Sequence, residues 1–143
     1  MNAIRTLSAV ILVASGAAAL AQTSVKPTSN TAPPSPTEVA LIDHAGAGLQ
    51  YDKFPTGERL YISEADPLGK SACNSGCDTA WLPLLAPADA HTVGSWTVVV
   101  RDDGRRQWAL AGKPVYTRYH NIYSTAPGWR LLSEDLARAM TGR

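Results

Sequence analysis

The sequence predicts a mainly β fold: one small antiparallel β-domain of two degenerate half-repeats, closed by a short C-terminal helix. Three observations lead there. Short β-prone runs recur between Gly, Pro and Asp turn signals after about Val39. The clearest run, Ser95 to Tyr119, reads as three strands joined by two tight turns. A glycine-x-x-apolar-tyrosine pattern occurs twice, each time followed by a tryptophan with a leucine pair.

The chain has 143 residues, 45% hydrophobic and 17% charged, with a formal net charge of +1. That length suits one modest core and excludes a multidomain enzyme. Near-neutral charge gives no basic footprint for nucleic acid. Met1 to Ala21 reads as a secretory signal peptide, with Arg5 in the n-region, an apolar Leu7–Leu20 stretch and Ala19-Leu20-Ala21 as the cleavage site. Gln22 is the expected mature start, and no cysteine sits nearby for a lipid anchor. Of 13 basic residues, losing Arg5 leaves 12 against 12 acidic, so the expected mature chain is neutral. It is expected in the periplasm or secreted, with no membrane span after cleavage. Residues 22–38, with Pro27, Pro33, Pro34 and Pro36, read as a disordered Pro/Ser/Thr-rich linker, since they offer too little apolar surface to offset ordering. The folded domain is then 39–143.

Within it, Val39 to Ile42 is β-prone and precedes His44 and the loop Ala45 to Gly48. Leu49 to Phe54 alternates loosely before Pro55-Thr56-Gly57, and Leu60-Tyr61-Ile62 is a further short strand ended by Asp66-Pro67 and Gly69. Trp96 to Val100, the turn pair Asp103-Gly104, then Gln107 to Leu110, the turn Ala111 to Lys113 and Val115 to Thr117 form a three-stranded meander. Ser133-Glu134-Asp135 before Leu136, Ala137, Ala139 and Met140 predicts an N-capped terminal helix. For the half-repeats, Gly57 to Tyr61 parallels Gly112 to Tyr116. Trp81 with Leu84 and Leu85 likewise parallels Trp129 with Leu131 and Leu132.

Gly69 to Leu84, with Cys73-x-x-x-Cys77, Ala80-Trp81 and Pro83-Leu84, resembles a bacterial family. So does Trp96 to Tyr116, with Asp102-Asp103-Gly104 and Gln107-Trp108. The family is the secreted-repeat lipoproteins that carry a tyrosine-x-aromatic-x-x-aspartate motif, whose function is poorly defined. The resemblance covers about Leu49 to Leu132 and implies location and repeat architecture, not a reaction. Both copies of the motif depart from the pattern. Tyr61 and Asp66 hold their places around Ser63, while Tyr116 is followed by Arg118 and Asn121.

Cys73 and Cys77 are expected to form a structural disulfide closing a tight turn in an oxidising compartment. Copper is the alternative, because soft thiolates with an imidazole suit it. His44, His91 and His120 are candidate third ligands, with His120 the one carried forward; thiol exchange is a third reading. No cofactor is otherwise expected. His44, His91 and His120 read as loop residues. Arg101, Asp102, Asp103, Arg105 and Arg106 read as a solvated hairpin tip, with Asp103-Gly104 supplying positive φ. Trp96 and Trp108 flank one hairpin and are expected on one face, where rings stack or serve a partner. No nucleophile elbow or His-Glu-x-x-His motif marks an enzyme. The reading is a non-enzymatic extracytoplasmic binding or interaction module for an unknown protein or small ligand. Guided by the resemblance, its binding surface is expected around Tyr61, Asp66, Trp81, Trp108 and Tyr116.

Overall fold

A computed structural model describes residues 32–75, 77, 79–119 and 126–142. The signal peptide, linker residues 22–31, Asp78, His120 and Asn121 lie outside the described residues. The strands are β1 (Val39–His44), β2 (Gly48–Lys53), β3 (Glu58–Ser63), β4 (Trp81–Pro83), β5 (Trp96–Val100), β6 (Arg106–Leu110), β7 (Lys113–Arg118) and β8 (Trp129–Leu131). The helix α1 spans Glu134–Thr141. All pairings are antiparallel in one sheet of order β1-β2-β3-β7-β6-β5, with β4 added to β7 and β8 added to β3.

Two meanders, β1–β3 and β5–β7, meet where β3 pairs β7, with Tyr61 opposite Tyr116. Each meander is completed by a strand from across that junction. β4, which follows β3, pairs β7 with Trp81 opposite Arg118 and Pro83 opposite Tyr116. β8, which follows β7, pairs β3 with Trp129 opposite Ser63 and Leu131 opposite Tyr61. The next residues continue in the same way. Leu84 N–H donates to Val115 O at 2.9 Å, and Leu132 N–H donates to Leu60 O at 2.8 Å. Their own carbonyls accept from Trp108 N–H at 2.8 Å and Tyr51 N–H at 2.9 Å. The two three-residue strands were not among the strands expected from sequence.

Turn chemistry fixes the meanders. Ala111 (φ 48) and Gly112 (φ 79) both lie in the left-handed region, the signature of a two-residue type I′ hairpin between β6 and β7. The β5–β6 turn differs from expectation. Only Gly104 has positive φ (79), and Gly104 N–H donates to Arg101 O at 2.9 Å. That is a type I turn followed by a left-handed glycine, the three-residue hairpin form. α1 starts as expected: Ser133 is the N-cap and its Oγ accepts from Leu136 N–H at 3.1 Å.

Alternation along each strand sorts the core into two faces. One holds Leu60, Ile62, Val115, Trp96, Trp108 and Leu110, and α1 lays Leu136 and Ala137 on it. The other holds Tyr61, Tyr116, Trp81 and Cys73. β7 is therefore buried along four consecutive residues, Pro114 to Thr117. The last linker residues make contacts with the sheet. Pro36 is buried, its carbonyl accepts from Val39 N–H at 3.0 Å, and Glu38 O accepts from Phe54 N–H at 2.8 Å. Pro36 and Glu38 thus lend backbone carbonyls to the start of the sheet. Among the described residues no helix is long and apolar enough to cross a membrane.

Candidate functional site

The richest constellation of polar and aromatic groups lies where the loop from Asp66 to Cys77 crosses the face carrying Tyr116. Tyr116 is wholly buried, and its hydroxyl donates to Asp66 Oδ2 at 2.6 Å and contacts Ser71 Oγ at 2.7 Å. The other Asp66 oxygen accepts from Ala72 N–H at 2.7 Å. Lys113 Nζ donates to the Asp66 carbonyl at 2.5 Å. Arg101, with its side chain fully enclosed, donates to Ser71 Oγ (3.1 Å), Gln107 Oε1 (2.7 Å) and Cys73 O (2.6 Å). Gln107 in turn donates to Val115 O at 2.8 Å. Buried polar groups are tolerated when they satisfy one another, as the Tyr116, Asp66, Ser71 and Gln107 groups do here, while Arg101 Nε pairs ionically with Asp103 Oδ2 at 3.5 Å. Cys73 and Cys77 are joined in a disulfide with Cα atoms 5.6 Å apart, which pins the far end of the loop.

Beside this network the aromatics close ranks. Trp81 and Trp129 stack at 3.8 Å with ring planes 7° apart. Tyr61 meets Trp81 edge-on at 5.2 Å, and Tyr116 meets Trp129 edge-on at 5.0 Å. The Arg118 guanidinium covers Trp81 at 5.1 Å.

Of the five residues expected around a binding surface, Tyr61, Asp66, Trp81 and Tyr116 are brought together, and Trp108 is not. Trp108 lies on the opposite face in the main core. None of the five is on the surface: all are at most 6% exposed. The physical reason is that both faces of β3 and β7 are covered, so alternation hides their aromatics instead of presenting them. Trp96 and Trp108 share the main-core face, as expected, and Trp96 meets the Tyr51 ring edge-on at 5.7 Å.

The charged tip is also corrected. Arg101 is interior, and Arg106 reaches back to the carbonyls of Pro87, Ala88 and Ala90. The Asp103–Arg105 pair (2.6 Å) matches the expected self-compensating turn, and Asp103 also meets Arg101 Nε at 3.5 Å. Ser71, Arg101, Gln107 and Trp129 were missed as site residues. The usable signal for Arg101 and Gln107 is strand parity, since both alternate in phase with Tyr116 across the β5–β6–β7 register.

Electrostatics follow from burial. Desolvation, reinforced by the Asp66 hydrogen bond, raises the Tyr116 phenol far above its ordinary value, so it is locked as a donor. Tyr51 is raised too, first by burial and then by the Glu134 carboxylate. Asp103 is lowered to about 2, first by the Arg105 side-chain hydrogen bond and then by the Arg105 N–H.

His44 is not a free loop residue. Its Nε2 lies 2.9 Å from Asp52 Oδ2 and its Nδ1 lies 3.2 Å from Arg59 Nη2. Arg59 can only donate, so Nδ1 accepts and Nε2 carries the proton to Asp52. His91 is exposed, with Nδ1 3.0 Å from Asp89 O. The copper alternative places its ligands at Cys73, Cys77 and His120. The two sulfurs are bonded to each other, and His120 lies outside the described residues. Chemically the arrangement is a clamp: its acid, phenol, hydroxyl and guanidinium are used on one another. No family model, curated protein or solved structure matches the chain.

Proposed function

We propose that this chain is a non-enzymatic interaction module working outside the cytoplasm, built from two related halves. The observation that carries the reading is the saturation of the clamp. Asp66, Ser71, Arg101 and Tyr116 hold one another below the surface, so their chemistry stabilises a loop instead of facing a substrate. The disulfide suits an oxidising compartment, consistent with the secretory reading of Met1–Ala21. The two-halves reading is supported by matched registers. Trp81 opposite Arg118 corresponds to Trp129 opposite Ser63, and Pro83 opposite Tyr116 corresponds to Leu131 opposite Tyr61. The resemblance to the secreted-repeat lipoproteins belongs to the same reading. Recognition then falls to the outer surface.

The test runs in two parts. Crosslinking in the native envelope is expected to give discrete adducts with the folded protein, retained when Tyr116→Phe leaves the fold intact. Purified protein is assayed on ester, phosphate, glycoside and disulfide substrates and with Cu(I). Turnover lost in Tyr116→Phe, or stoichiometric copper lost in Cys73→Ser, overturns the reading.

A further inference from the structure

We propose that the outer edge of β5 is a self-pairing surface whose partner is a second copy of this chain, bound antiparallel along Val98 and Val100. This goes beyond the module reading and does not depend on it. β5 and β1 are the two ends of the sheet path. Arg101 N–H donates to Arg105 O and Ala111 N–H to Ser95 O, both at 2.9 Å. Those bonds fix the odd-numbered residues of β5 as facing β6. Trp96, Val98 and Val100 therefore turn their N–H and C=O groups outward. The Trp96 pair is met by Val93, at 2.9 and 3.0 Å. Val98 and Val100 meet no partner among the described residues.

An open strand edge recognises another strand, and natural proteins blunt such edges with charge, proline or bulges. β5 reads Trp-Thr-Val-Val-Val and carries none of these, and Val100 is 66% exposed. A two-fold axis at Val99 sets Val98 opposite Val100 of the second copy, twice. All four free N–H groups then meet four free C=O groups, and four valines pack on one face. The pairing consumes the edge, so the assembly closes at two. β1 has the same geometry with the opposite chemistry. Phe54 N–H to Glu38 O fixes its outward residues as Val39, Leu41 and Asp43, and Val39 is met by Pro36. Self-pairing there would put a carboxylate in each residue pair, so β5 is the pairing edge.

Two residues per copy make a small interface, so the dimer is weak. Sedimentation velocity from micromolar to about 1 mM is expected to show a monomer–dimer equilibrium. Hydrogen exchange at the Val98 and Val100 amides should slow as concentration rises. Val100→Lys is expected to raise the dissociation constant at least about tenfold with an unchanged melting temperature. Should that variant misfold, Val100→Pro removes the outward N–H without breaking a bond to β6 and is expected to act alike. A monomer at every concentration, a dimer indifferent to both variants, or open-ended assembly overturns the proposal. So does an edge that captures an added extended peptide without pairing with itself.

Discussion

Replacing Tyr116 by Phe tests the clamp with the least collateral change. The ring and its edge-on contact with Trp129 persist, so no cavity opens. What disappears is the hydroxyl that donates to Asp66 at 2.6 Å in a site where Asp66 is 2% exposed. A hydrogen bond to a charged group contributes about 1.5–3 kcal/mol, and a buried acceptor left short of a donor sits at the upper end. Asp66 keeps Ala72 N–H, and Ser71 Oγ keeps Arg101 and Cys73 N–H, which limits the loss. The expected cost is about 2–3 kcal/mol, or roughly 10 °C in melting temperature for a domain of this size. Urea titration read by tryptophan fluorescence and circular dichroism measures it, with the m-value unchanged. A double-mutant cycle with Asp66→Asn should show coupling of at least about 1 kcal/mol. A loss below about 0.5 kcal/mol would refute the claim that Asp66 and Tyr116 support the loop.

Other consequences are equally measurable. Tyr116 and Tyr51 have folded values raised above 10.0, so the stability they contribute is intact below pH 10 and lost as pH climbs beyond it. Phenolate absorbance should show both ionising above pH 10 in the folded protein, and Tyr116→Phe should shallow the alkaline decline. Arg105→Ala should return the Asp103 carboxyl, followed by NMR titration, from about 2 toward 3.8. Ala111→Asn, at a left-handed φ of 48, should gain about 0.5–1 kcal/mol in chemical denaturation. Opening the five-residue Cys73–Cys77 loop by Cys73→Ser plus Cys77→Ser should cost roughly 2 kcal/mol while leaving the circular dichroism spectrum β-like.

The meanders and the helix were legible because their signals are local. Gly112, Ser133 and the Trp96–Val100 run each act on neighbours in sequence. β4 and β8 were not, since three residues carry no period and their partners Arg118 and Ser63 lie far along the chain. The five residues expected on a binding surface are buried for a related reason. An alternating strand implies one dry face only when the other is wet, and β7 is covered on both. Arg101 misled because charge at a hairpin tip ordinarily means solvent, whereas here Gln107, Ser71 and the Cys73 carbonyl enclose it.

The crossed completion of the two meanders also sets a schedule for folding. As the chain is made, β3 emerges with a place reserved beside it for Trp129–Leu131, so Tyr61 waits for Leu131 before its edge is filled. Neither half can finish alone, and pairings this distant in sequence belong to the slow end of folding, on the order of milliseconds to seconds. A chain interrupted before Trp129 would lose more than its tail. The vacancy would fall at the centre of the sheet and leave the first half, already synthesised, as an unfinished edge open to the wrong neighbour.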